Sequence, residues 1–71
     1  MKTYKDMIEN ALGTDDVGAM TAAVRFIFGN TPERTWFDDS LIGLSENQKR
    51  VALKMFLTNK LSEPIWSKKP I

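Results

Sequence analysis

Seventy-one residues and a mass of 8.1 kDa leave room for one small domain. Its core is marginal, since a chain of this size keeps roughly 40% of its unfolded surface exposed after folding. With 42% hydrophobic and 27% charged residues, ten basic against nine acidic, the composition is that of a single globular unit. Cysteine and histidine are both missing, which excludes disulfides, thiolate and imidazole metal sites, Ser/His and Cys/His nucleophile pairs and an imidazole pH switch.

Small extracellular domains usually carry disulfide staples, so a chain without them fits a reducing compartment, and the cytoplasm is the expected location. No apolar run approaches the roughly 20 residues of a membrane span. Met1-Lys2-Thr3-Tyr4 leads into a charged segment and not into a signal-peptide core. No membrane partner is expected.

In chain order, Tyr4, Met7, Ile8, Ala11 and Leu12 recur at the spacing of one helix face, with Lys5, Asp6, Glu9 and Asn10 turned away. Thr3 is the expected N-cap, with Asp6 in the reciprocal position of a capping box. Gly13 is the expected stop, because glycine takes the left-handed C-terminal conformation without a Cβ clash. Thr14 is then the next expected cap, and Asp15 and Asp16 place negative charge at the positive end of a second helix running to about Phe28. Val17, Met20, Val24, Ile27 and Phe28 form its stripe. Ala19, Ala22 and Ala23 allow close helix approach, and Gly29 supplies the stop.

Thr31-Pro32-Glu33 is a compact start signal for a short third helix, expected through about Phe37 and broken by Asp38-Asp39-Ser40. Leu41-Ile42-Gly43-Leu44 reads as a packed connecting loop whose Leu41, Ile42 and Leu44 bury. Ser45 with Gln48 is the strongest cap in the chain and opens the last long helix. Its apolar residues Val51, Ala52, Leu53, Met55, Phe56, Leu57 and Leu61 form a broad buried stripe, while Lys49, Arg50, Lys54 and Lys60 face water. Pro64 ends that helix at or before Glu63. Nothing alternates with period two, so the expected fold is all-α, a compact bundle of four to five short helices. Residues 1–65 form the single domain and 66–71 an extended tail. Met7, Met20 and Met55 read as core fillers, and Trp36 beside Phe37 as core.

Chemistry-bearing clusters are sparse. The pairs Asp15-Asp16 and Asp38-Asp39 have the residue type for acid–base work or a hard cation, yet helix caps and turns account for both. Ser40, Ser45, Ser62 and Ser67 have no histidine to activate them, and no Ser-x-x-Lys or Gly-x-Ser-x-Gly pattern appears. Gly13 and Gly18 lack the spacing of a phosphate loop. No catalytic, cofactor or metal residue is therefore assigned, and the chain is read as no enzyme.

Charge has a direction along the chain. Residues 1–40 carry four basic and seven acidic side chains, residues 41–71 six basic and two acidic, so the halves stand at −3 and +4. Lys49, Arg50, Lys54, Lys60, Trp66, Lys68 and Lys69 form the candidate partner-binding set, in which cations contact phosphates and Trp66 stacks on a base. For the cations a solvated face is the stronger reading, since +4 over a helix and tail is modest beside dedicated nucleic-acid binders, and Trp66 is equally compatible with folding back as a lid and with anchoring a partner.

The run Leu44-Ser45-Glu46-Asn47-Gln48, then Leu53, Phe56-Leu57-Thr58 and Glu63-Pro64-Ile65, resembles the end of the N-terminal helical domain of release-factor glutamine N5-methyltransferases of the HemK type. Ala22-Ala23-Val24-Arg25-Phe26-Ile27-Phe28-Gly29 is similar to that family's preceding apolar helix, and Thr35-Trp36-Phe37 to a short apolar segment after it. The loop Asp38–Gly43 is about one residue longer, and Trp66-Ser67-Lys68-Lys69 departs from the small and apolar residues of the family. The family's S-adenosylmethionine-binding domain and Asn-Pro-Pro-Tyr motif have no counterpart, so the resemblance transfers no catalytic or cofactor residue. It implies either a free-standing relative of a substrate-recognition domain or an excised fragment of one, the divergent tail favouring the first: a non-catalytic adaptor or competitor acting on release factors, tRNA or the ribosome, with a translation factor as the expected protein partner. The alternative is a small RNA- or tRNA-binding protein, of the kind phages encode, that uses the basic C-terminal half.

Overall fold

Thr3 opens the first helix as its spacing to Asp6 predicts. Its hydroxyl accepts from the Asp6 N–H at 3.3 Å while its own N–H donates to Asp6 Oδ2 at 2.9 Å. The computed structural model describes residues 2–71 and among them shows five helices: α1 (Tyr4–Thr14), α2 (Val17–Phe28), α3 (Pro32–Ser40), α4 (Glu46–Leu61) and α5 (Ile65–Lys68). The fold is an all-α bundle, and no described helix is long and apolar enough to cross a membrane.

The first corner differs from the sequence reading. Gly13 stays helical and α1 runs on through Thr14, whose hydroxyl donates to the Ala11 carbonyl at 2.6 Å. The left-handed position falls instead on Asp15, at φ 54°, the one described non-glycine residue with positive φ. Aspartate tolerates that region better than most residues because its short polar side chain is accommodated locally. Asp16, not Thr14, then caps α2 by accepting from the Ala19 N–H at 2.9 Å. Gly29 ends α2 with φ 65°, where its lack of a Cβ is needed.

Helix α3 extends through Ser40, a turn beyond the expected end at Phe37. The Ser40 hydroxyl donates to the Phe37 carbonyl at 2.6 Å, and Asp38 accepts from Arg25 Nε of α2 at 3.2 Å, so the acidic pair continues the helix instead of breaking it. Thr31 sits at the cap without a side-chain cap bond, leaving Pro32 as the start signal that operates. Ser45 and Gln48 form the expected reciprocal box, at 2.9 Å and 3.2 Å.

The core contains Ile8 and Ala11 from α1, Met20, Ala23 and Val24 from α2, Leu41 from the loop, and Leu53 and Leu57 from α4. Helices α1 and α2 thus close on one strip of α4. At the bundle's flank Phe28, Phe37 and Phe56 join α2, α3 and α4, with ring centroids 5.2–5.7 Å apart. Several expected core residues lie outside. Trp36 is 65% exposed and Ile42 76%, because α3 packs Phe37 partly buried against the core and the loop buries Leu41 and part of Leu44, turning their neighbours outward. Val51 and Met55 are 50% and 64% exposed. On a helix turning about 100° per residue they fall opposite Leu53 and Leu57.

The C-terminal residues also depart from an extended tail. After α4 stops before Pro64, Ile65–Lys68 makes a single helical turn. Residues 69–71 then lie antiparallel to residues 2–4, with Tyr4 N–H donating to the Lys69 carbonyl at 2.9 Å and Ile71 N–H to the Lys2 carbonyl at 3.1 Å.

The division of α4 into a buried strip and an outward face is testable by denaturation. Leu57→Ala is expected to reduce the unfolding free energy by about 2–5 kcal/mol. Met55→Ala is expected to change it by no more than about 0.5 kcal/mol. Equal losses in urea titrations of the two variants would contradict this assignment.

Candidate functional site

The candidate residues sit on α4 and α5, and their surroundings are set by which flank of α4 each occupies. Arg50 and Lys54, one helical turn apart, reach the α1–α2 corner. Arg50 Nε donates to the Asp15 backbone carbonyl at 3.2 Å and lies 3.8 Å from its carboxylate, while the Lys54 ammonium pairs directly with that carboxylate. Arg50 also donates to Asn47 Oδ1 at 3.4 Å. The hydrogen bond from Lys54, aided by the charges of Lys54 and Arg50 and opposed by desolvation, holds the Asp15 carboxyl below its usual value of 3.8. These two cations are half-buried fasteners of a left-handed turn, not freely solvated charges.

Lys60 lies at the other end of α4, six residues beyond Lys54 and so about 9 Å along the axis. Its ammonium is 3.6 Å from Glu63 Oε2 and stands over the rings of Phe56 and Trp66 at 5.1 and 5.8 Å. Trp66 is folded back and half-buried. Its indole N–H donates to Glu63 Oε1 at 2.7 Å, and its ring packs on Tyr4 at 5.3 Å, which packs in turn on Phe26 at 5.4 Å. Lys69 stands 5.1 Å from the Tyr4 centroid and 5.6 Å from that of Trp66. Two lysines therefore share one indole, an arrangement that ring quadrupoles favour. The lid alternative for Trp66 describes its placement.

Lys68 is exposed, and Lys49 is half-buried against α2 and the loop before α4. The seven candidate residues are thus divided: Arg50 with Lys54, Lys60 with Trp66 and Lys69, Lys49 alone, and Lys68 at the surface. They do not form one continuous basic track.

With its cations drawn to the flanks, the outward face of α4 consists of Gln48, Val51, Met55, Thr58 and Asn59, all uncharged and all exposed. The sequence reading missed this face because it assigned Val51 and Met55 to the core. The signal was present: seven apolar positions exceed the width of one core-facing stripe. Three of the four paired carboxylates have structural roles, Asp16 as a cap, Asp15 as the partner of α4 and Asp38 as the partner of Arg25. Compared with known proteins, the chain matches no family model, no curated protein and no solved structure.

Because the Asp15 carboxyl is held below its ordinary value, its stabilising contribution is complete above about pH 4, the value in an unfolded chain. It is lost as pH falls through the lower folded value. Asn also tolerates the left-handed backbone, so Asp15→Asn is expected to keep the fold while reducing the loss of urea stability between neutral and acid pH. An unchanged acid response would remove Asp15 from this role.

Proposed function

We propose that the chain is a non-catalytic helical interaction module that docks a protein partner through the outward face of α4, with Trp66 and its flanking lysines bordering the contact. The observation that carries this reading is the distribution of charge on α4. All four cations of the helix lie on its flanks or toward the bundle, three of them with internal partners, and the side facing solvent presents Val51 and Met55 among uncharged polar residues. Interface cores are depleted in charge and enriched in methionine and aromatic residues, with a polar rim around them. The face shares the depletion in charge and carries one methionine, Met55.

The motifs shared with the recognition domain of release-factor methyltransferases make a component of the translation machinery the first partner to test, in the cytoplasm. The module works without cofactor or metal in this reading. An RNA-binding role by the basic half receives less support, since the Trp66 ring is packed on Tyr4 and crossed by Lys60 and Lys69 and therefore offers no free stacking surface.

The test is capture from cell extract on the tagged chain, washed at low and high salt, with bound protein and RNA both identified. A translation factor retained at high salt by the parent chain and lost by Val51→Glu/Met55→Glu is expected, because an apolar contact depends weakly on ionic strength. Recovery of RNA that leaves at high salt and depends on Lys68 and Lys69 would overturn the reading in favour of phosphate binding. Methyl transfer by the purified chain would overturn its non-catalytic part.

A further inference from the structure

On the opposite side of α4 from Val51 and Met55, a cleft of about 200 Å³ opens between α2, the end of α3 and the loop leading into α4. Val17, Leu41 and Ile42 give it an apolar wall, and Thr21, Arg25 and Lys49 bring hydrogen-bond donors to it. Asp38 also lines the cleft and takes only Arg25 Nε, at 3.2 Å. Among the described residues, the two terminal guanidinium nitrogens of Arg25 and the Lys49 ammonium have no hydrogen-bond or ion-pair partner. Two cations face one carboxylate, so the cleft carries one positive charge in excess beside aliphatic side chains.

We propose that this cleft binds the C-terminal residue of a peptide, where that residue is aliphatic. Charge complementarity selects the carboxylate. A planar carboxylate accepts well from a guanidinium, and such charge-assisted bonds are stronger than neutral ones. The small volume favours the chain end, since the donors and the apolar wall line one cleft of about 200 Å³, a space for a single residue. At a C-terminal leucine, valine or isoleucine the carboxylate and the branched side chain spring from the same Cα. The carboxylate meets Arg25 and Lys49 while the side chain covers Val17, Leu41 and the exposed Ile42. The site stands apart from the outward face of α4 and does not rest on that face docking a protein.

N-acetyl-leucine reproduces such a chain end and is the probe. Titrated into the full chain and followed by NMR, it is expected to shift the signals of Thr21, Ile42 and Lys49 in a saturable manner. N-acetyl-leucinamide, which lacks the charge, and N-acetyl-glycine, which lacks the side chain, are each expected to bind roughly tenfold more weakly, as is N-acetyl-leucine to Lys49→Gln. Lys49→Gln is the informative variant because Lys49 holds no ion pair, whereas Arg25→Gln also releases Asp38 of α3. N-acetyl-glutamate amide, which places its carboxylate on a side chain, is the arm for an internal acidic residue, and preference for it would overturn the assignment to a chain end. Absence of saturable shifts, equal response to the neutral amide, or full binding by Lys49→Gln would each overturn the proposal. Val51→Glu is expected to leave the titration unchanged, so failure of the α4-face reading and failure of this site are told apart.

Discussion

Burial of Leu53 and Leu57 between α1 and α2 is the interaction on which the remaining contacts depend. A chain of this length has few side chains to place wholly inside, and among the described residues only Ile8, Met20, Val24, Leu53 and Leu57 are without solvent exposure. Once that strip of α4 is committed to the core, the helix's rotation is set. Arg50 and Lys54 then arrive beside the α1–α2 corner, Lys60 beside Trp66, and Lys49 beside α2. The polar contacts at the edges act on a geometry that the apolar contacts have already chosen, which is the division expected when exposed ion pairs each contribute little.

Local signals were legible where one residue and its near neighbours decide the outcome. The Thr3–Asp6 and Ser45–Gln48 boxes, Pro32 at the start of α3 and Gly29 after α2 all operate at the positions their spacing indicates. Illegible were the choices between neighbours with equal local claims. Gly13 and Asp15 can both end a helix, and Asp15 prevails where Arg50 and Lys54, far along the chain, hold its carbonyl and carboxylate. Trp36 and Phe37 are both large and apolar, yet only Phe37 meets Phe28 and Phe56. The basic residues of α4 were visible in sequence, but their partners were not, because no periodicity within a helix reports which acid another helix brings to it.

That redistribution changes what the molecule presents to its surroundings. Helix α4, with four cations the most basic of the five, shows solvent its least charged side. The excess cation that is left over appears in a cleft at its base instead of along its crest. Two surfaces of different chemistry are thereby separated by the width of a single helix, one broad and neutral, the other narrow and positive.

The pairing of residues 2–4 with 69–71 places the two ends of the described chain side by side and running in opposite directions. A pulling force applied at those ends would load the hydrogen bonds one after another, as in a zipper, instead of together as in shear. The Ile71–Lys2 bond would part first, then Tyr4–Lys69, and only afterwards would the indole of Trp66 leave Tyr4. Mechanical resistance in this fold is accordingly lowest at its seam and rises inward, so a tether on either end would peel α5 away before tension reached Leu57.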